Sequence, residues 1–550
     1  MKIKNILKDK SKNIWIAILC NVILLGFFLL IAYPMYTNDL DVMMQAALYG
    51  VGNGVKTAHI LFSNVLIGAF LKVLGTVAPK IAWYTVLLYM INFLSLTQIG
   101  VAFLKERVKK SSIIIYNILV VFLGFECYMR PSYLKTAALL TGAAIYLLFS
   151  VLISGKLCVL RSILVILELT MASMISWRAT IISATIVGIG MMLVILWRDL
   201  KNFKKVFFWI QLSVVLVASV ILGLCLKKYD DSQYREEQYQ MASEYRSSVE
   251  RLTGFEYIAY SEEMLDELGL ENKTHYHHIM NGVYISKDNK ALEIIKKLAS
   301  KTREVNGTNI LEYFRTFPIS LFYVGMFYCW LILFVFIAVS KKKSKKRLLV
   351  IFVLQLILST LVLYFMNLWG RQPAEIVALM PLCLSVFMEC DDITFEDTKT
   401  VCVYLLVMSV ILYGKFSHYI VTYVTENTTA EELDAYYLYD EENVSKKDRL
   451  EPQELIAGVD SDGEEVQYDN RVHLVNLNEF LKRFSAFTVY TPSLCERHPM
   501  IVANGAYGMY SGFTSYTNVP SVTEEDDFEW VVGSGKIWKL LINYDESESE

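Results

Sequence analysis

Two carboxylates stand close together just past the first apolar segment, in the run Tyr36-Thr37-Asn38-Asp39-Leu40-Asp41-Val42-Met43-Met44. A carboxylate there, partly shielded so that its basicity rises, has the character of a general base for an acceptor hydroxyl. The plainer reading is a helix start, with Asn38 as cap and the acids complementing the helix dipole. Cations recur at the turns between later apolar segments. Arg130 and Lys135 bracket one tight hairpin, Trp177-Arg178 tips another, and Arg371 lies in Trp369-Gly370-Arg371-Gln372-Pro373. A guanidinium grips phosphate oxygens in a fork and stabilises the charge on a leaving phosphate; simple anchoring to lipid headgroups is the other use of such residues. The cluster His275-Tyr276-His277-His278 has no carboxylate spacing that completes a metal site. No Walker loop, GxGxxG, HExxH or Ser-His-Asp pattern is present, which argues against an ATP-driven pump.

The elements that must carry these residues are membrane helices. Of 550 residues, 55% are hydrophobic and 19% charged, and the mean hydropathy is +0.40. The apolar residues gather in runs of roughly 20, the length that crosses a hydrocarbon core about 30 Å thick; in lipid, each such run must be helical. Basic residues mark the cytoplasmic side. They cluster at Lys2 to Lys12, Lys105 to Lys110, Lys156 with Arg161, Arg198 to Lys205, and Lys341 to Arg347. Counting every apolar run as a crossing would put Lys105 to Lys110 outside. The conflict vanishes if His59 to Val77 lies along the outer membrane face or re-enters it, where Lys72 and His59 are tolerable. Eleven spans then remain: 14–36, 81–104, 111–129, 136–154, 159–176, 179–197, 206–226, 317–339, 348–366, 374–390 and 400–422. This predicts a multi-pass protein of the cell membrane with a cytoplasmic amino terminus and an extracytoplasmic carboxyl terminus.

Residues 37–80, 227–316 and 423–550 are then external. In the middle region Gln233 to Leu252 and Ser261 to Leu268 read as helical. In the tail, Asn476 to Phe484 reads as a helix capped by Asn476, with strands at Phe487 to Tyr490 and Ile537 to Ile542, so that a small α/β domain is expected over 423–550. Of the 9 cysteines only Cys495 falls in a soluble region, so no extracytoplasmic disulfide framework is expected.

The layout resembles the GT-C-fold glycosyltransferases, membrane enzymes that take sugars from polyprenyl-phosphate carriers at the outer face. The match rests on Asp39, in the position of that family's first-loop acid, and on the apolar Ile60 to Leu74 ending at Gly75, which looks like its second juxtamembrane helix. More closely, the chain is similar to a group of uncharacterised bacterial multi-spanning membrane proteins, through Asn38-Asp39, His59, Asn64, the stretch Tyr234 to Asp288 and Gly370-Arg371-x-Pro373. Where those relatives carry a second adjacent Asp, this chain has Leu40, which points to one base rather than a pair of neighbouring carboxylates on a metal.

The resemblance implies a mainly α, polytopic helical bundle over 1–422, with juxtamembrane helices in the first external loop. It implies transfer of a sugar from a polyprenyl-(di)phosphate carrier to an extracytoplasmic glycan, lipid or protein. Asp39, with Asp41 as the second acid, would be catalytic; His59, Arg130, Lys135, Arg178 and Arg371 would hold the carrier phosphate. No cofactor is required by this reading, a divalent metal is left open, and nucleic acid is not a partner. The alternative is a non-catalytic lipid-linked glycan transporter or assembly partner that uses the same cations without a base.

Overall fold

The computed structural model describes residues 2–31, 39–49, 57–78, 81, 83–104, 110–154, 159–198, 206–236, 239, 242–248 and 290–301, with single positions and short runs between 266 and 384 and six short stretches of the tail. It is mainly helical. In chain order the helices are α1 (Lys2–Ile31), α2 (Asp39–Tyr49), α3 (Val65–Val77), α4 (Trp83–Phe103), α5 (Lys110–Gly124), α6 (Tyr133–Ser154), α7 (Val159–Ile175), α8 (Trp177–Arg198), α9 (Val206–Gln233) and α10 (Lys290–Lys301). Among the described residues five helices are long and apolar enough to cross a membrane: α1, α4, α5 with its extension to Met129, α6 and α9. The expected spans from 317 onward, and Arg371 with them, lie largely outside the described residues.

Helix α6 is the centre of the bundle. It packs against α4, α7 and α8, and its small residues Ala137, Ala138, Ala143 and Ala144 are all fully buried. Small side chains let helix backbones approach closely, which is how helices associate when lipid removes the hydrophobic drive between them. At Gly142 an added Cβ would meet the Leu384 side chain at 2.5 Å. By contrast α1 and α9 leave apolar side chains such as Trp15, Leu30 and Val206 exposed. Such faces suit lipid rather than water.

Long-range hydrogen bonds fix which helix ends lie together. Asn13, early in α1, donates to the carbonyl of Leu104, just past α4, and Phe28, late in α1, packs edge-on against Phe125 beyond the end of α5. Up-and-down succession then brings the ends of α4, α6 and α8 and the starts of α1, α5, α7 and α9 to one end of the bundle. These are the helix ends that flank the basic runs. The starts of α4, α6 and α8 and the ends of α5, α7 and α9 lie at the other.

Helix α3 stays at that second end. Its first residues are held by the end of α7, through Asn64 N–H on the Met174 carbonyl at 2.8 Å, and by the end of α9, through Asn64 Nδ2 on the Leu226 carbonyl at 3.0 Å. Its last turn is met by Trp83 Nε1, at the start of α4, on the carbonyl of Ala78 at 3.0 Å. At 13 residues it spans about 20 Å, short of the roughly 30 Å of hydrocarbon. The helix is therefore too short to cross, and both its ends are tied to the second end of the bundle. Leu66, Phe70, Val73 and Val77 stay exposed along one side.

The expected helix Gln233 to Leu252 is instead broken. Helix α9 runs on to Gln233, seven residues past the predicted end of its span, the chain turns over 234–236, and helix resumes at 242–248. The break is fixed by Tyr234, whose ring is buried among the neighbours of His59. In the tail, β1 (Ala457–Val459) pairs antiparallel with β2 (Glu465–Gln467). Strands β3 (His473–Asn476), β4 (Thr488–Tyr490), β5 (Glu529–Gly533) and β6 (Lys536–Lys539) form a sheet in the order β3-β5-β6-β4. The two strands expected from alternation, β4 and β6, are parallel neighbours in register Val489↔Ile537. Asn476 closes β3 rather than opening a described helix, and the remainder of 477–484 lies outside the described residues.

Candidate functional site

The site end is assembled around Asp41. Helix α2 presents it, wholly buried, to the starts of α4 and α6. Its Oδ1 accepts the Tyr84 hydroxyl at 2.6 Å and the Tyr133 backbone N–H at 2.9 Å. Four residues on, Gln45 Oε1 accepts the Thr85 hydroxyl at 3.1 Å, so one face of α2 is fastened twice to α4. Ser132 caps α6: its hydroxyl accepts the Leu134 N–H at 3.3 Å. Asp41 thus sits on the positive end of α6, where unpaired N–H groups welcome an anion. Burial nevertheless pushes its carboxyl up to about 7, against the opposing pull of Tyr84, the Tyr133 N–H, Ser132 and Lys135. An acid in that range exchanges protons near neutrality.

Asp39 opens α2. Positions two apart on a helix lie about 200° around its axis. The two positions therefore fall on different sides of α2. Among the described residues no group of three or more His, Cys, Asp or Glu side chains could hold a metal ion.

Lys135 and Arg130 share this corner, but not as two free cations. Beyond α5 the chain widens into a π turn over Phe125–Met129, which aims backbone carbonyls at side chains. Asn92 donates to Cys127 O at 3.2 Å and the Tyr89 hydroxyl to Tyr128 O. Lys135, buried in the first turn of α6, donates to Glu126 Oε2 at 3.0 Å, Glu126 O at 3.3 Å and Arg130 O at 3.1 Å. An ammonium has three N–H groups, and these three acceptors use them. Lys135 is a fastening of the hairpin, not the phosphate ligand its sequence position suggests. The half-buried Arg130 caps the π turn.

His59 lies on the connection between α2 and α3, which is packed on the same end. Thr57 N–H donates to Ala47 O, near the end of α2, at 3.1 Å. The imidazole stacks on Tyr239 with centroids 3.6 Å apart and meets Tyr234 edge-on at 5.0 Å. Burial holds it below its usual range, with Lys72 adding to the effect, although the Gln233 backbone, Glu236 and Asp230 pull the other way. At neutral pH His59 is therefore uncharged and poorly suited to the phosphate-binding role expected of it. Phe62, three residues later, packs against Tyr133, so the His59 and Asp41 regions meet through these two rings.

Arg178 opens α8 at the same end, half-buried, beside Trp177, whose ring faces Lys227 Nζ at 5.9 Å. The α7–α8 corner is tied to the connection by Ser63, whose hydroxyl donates to Ile175 O at 2.9 Å. Asp41, His59, Arg130, Lys135 and Arg178 are therefore gathered at one end; Arg371 lies outside the described residues. Sequence reasoning missed Tyr84, Ser132 and Asp230. Asp230 is buried, accepts the Val65 N–H at 2.7 Å and pairs with Arg246 at 2.6 Å. The acid following an apolar run by four residues was the signal available for it. No family model, curated protein or solved structure matches the chain.

Proposed function

We propose that the protein is a membrane glycosyltransferase that moves a sugar from a polyprenyl-phosphate or polyprenyl-diphosphate carrier to an extracytoplasmic glycan, lipid or protein. The observation that carries this reading is the docking of α2 by Asp41 onto the starts of α4 and α6, beside Arg130 and opposite the helix ends that flank the basic runs. With the basic end cytoplasmic, the acid-bearing end faces outward, in keeping with the eleven-span topology and an external α/β tail. Asp39, in the first turn of the docked helix, takes the proton of the acceptor hydroxyl. The acceptor oxygen bonds to the anomeric carbon as the bond to the carrier phosphate breaks, with inversion. Arg130 and Arg178, with Arg371, take the charge left on the phosphate. Asp41 holds the helix that carries the base.

The test is Asp39→Asn, read as incorporation of radiolabelled sugar into surface glycan by expressing cells. A fall on the order of 100- to 10,000-fold is expected for loss of a general base. Wild-type incorporation would remove Asp39 from the mechanism. One observation favours the transporter reading: Glu168, inside the bundle, accepts a hydrogen bond from Gln98 Nε2 at 2.9 Å, and polar pairs at such depth mark transport paths. That reading predicts the reverse pattern, with Asp39→Asn silent in effect and Glu168→Ala inactive.

A further inference from the structure

The connection bearing His59 is held more tightly than a linker needs. Its backbone N–H groups are taken up in succession: His59 by Thr57 Oγ1 at 3.1 Å, Ile60 by Ala58 O at 3.0 Å, Leu61 by the Tyr234 hydroxyl at 3.0 Å, and Phe62 by Ile60 O at 2.9 Å. Leu61 sits in the left-handed region at φ 67°, which brings the Cβ of an L-residue too close to the following carbonyl oxygen. Gly68 of α3 is pressed so close that an added Cβ would lie 1.9 Å from Ala58 O. Strain of this kind persists where the surroundings over-determine a conformation, and it collects at ligand sites.

What the connection holds in place is the His59 ring. The Gln233 backbone favours a proton on the ring, and with the single proton of the neutral imidazole on the nitrogen nearer that backbone, the other nitrogen is left as an acceptor. Nε2 is buried and has no hydrogen-bond partner among the described residues; it is therefore the acceptor nitrogen. Leaving such an atom unmatched in a buried place is unfavourable, and neither the packing between Tyr234 and Tyr239 nor the Gln233 backbone makes use of it. Two independent costs, the Leu61 backbone and the unmatched Nε2, thus fall within three residues. A ligand that donates a hydrogen bond to Nε2 recovers the second.

We infer that His59 Nε2 is a substrate contact, accepting a hydrogen bond from a hydroxyl of the sugar-bearing substrate. This rests on the transferase reading and deepens it, because it assigns recognition of the substrate to the α2–α3 connection. The groups around the ring are Glu236 and Asp230 from the end of α9 and the turn after it, Lys72 from α3, and the phenols of Tyr234 and Tyr239. Protonation turns Nε2 from acceptor to donor, so substrate recognition is lost as the pH falls through the depressed range of this imidazole, below about 6.5.

The experiment feeds radiolabelled glucose to cells expressing the full chain, buffered between pH 5.5 and 8, and counts label in surface glycan. His59→Phe keeps the aromatic stack without the acceptor and is expected to lower incorporation by roughly 10-fold or more at pH 7.5, the factor equivalent to an unmade hydrogen bond. His59→Gln keeps an acceptor oxygen that does not titrate. It is expected to stay within a few-fold of wild type by the same estimate and to lose the acid fall-off. Wild-type incorporation by His59→Phe, or an unchanged acid fall-off in His59→Gln, overturns the inference. Should His59→Phe fail to accumulate in membranes, the His59→Gln profile decides alone. If Asp39→Asn abolishes incorporation while His59→Phe is fully active, only this inference falls; if Asp39→Asn incorporates label like wild type, the transferase reading falls and takes this one with it.

Discussion

Two buried acids in this protein do the same local job and differ in what stands behind them. Asp41 accepts the first N–H of α6 and Asp230 the first N–H of α3, at 2.9 and 2.7 Å. Behind Asp230 stands a guanidinium, Arg246, at 2.6 Å, itself lying over the Tyr234 ring. Against Asp41 stand a phenol, a backbone amide and the Ser132 hydroxyl, while the nearby Lys135 is hydrogen-bonded to Glu126. An acid with a full counter-charge is a fastening. An acid held by neutral donors in a dry place can gain or lose a proton near neutrality, so the same capping geometry yields a joint at one helix and a proton-sensitive joint at the other.

The largest effect comes from stripping the counter-charge. Arg246→Ala leaves the Asp230 carboxylate buried without its guanidinium, and breaking a buried pair costs about 3–5 kcal/mol. Thermal unfolding of the purified protein in detergent should show it as a drop in Tm. Arg246→Lys should restore only part of that loss, because a point charge replaces a fork. A neutral result for Arg246→Ala would erase the distinction between the two acids.

The second test is the pH dependence assigned to Asp41. Its folded carboxyl titrates at about 7 against about 3.9 for an unfolded Asp. The folded state binds the extra proton between those values, so the stability this group contributes is complete below about 4 and is lost as the pH rises to about 7. At roughly 1.4 kcal/mol per unit, the penalty at pH 8 is of order 1–4 kcal/mol. Wild type should therefore unfold at a lower Tm at pH 8 than at pH 5, and Asp41→Asn should flatten that dependence. An Asp41→Asn protein with the wild-type pH slope would transfer the titration to another group.

The mainly helical character and, among the described residues, the five apolar helices long enough to cross a membrane are legible in the sequence, because length and hydropathy are properties of the chain itself. The basic run Lys105 to Lys110 argues in the sequence that His59 to Val77 does not cross, and α3 is a helix of 13 residues, shorter than a membrane span. Asp39 and Asp41 stand together in the sequence, but nothing there shows that Asp41 is buried against the Tyr84 hydroxyl and the Tyr133 amide. Nothing near Lys135 in the sequence announces its partner, because Glu126 is nine positions away in the π turn. The Asp230 contact with Val65 joins residues 165 apart. Nor does anything in Leu61 announce a left-handed backbone, since leucine has no preference for it. Those features arise from tertiary packing.

The smallest and most discriminating change is Tyr84→Phe. It removes a single hydroxyl from the Asp41 cluster and leaves the ring, which is almost fully buried, in place. Loss of a hydrogen bond to a carboxylate costs about 1.5–3 kcal/mol when the acid is charged and nearer 1 kcal/mol when it is neutral. The variant's deficit should therefore be larger at pH 8 than at pH 5, because Tyr84 favours the charged form. For the same reason the Asp41 titration should move to higher pH in Tyr84→Phe. If Tm falls by the same amount at both pH values, Tyr84 is merely filling space, and the proton-sensitive joint at α6 has to be sought in Ser132 and the Tyr133 amide.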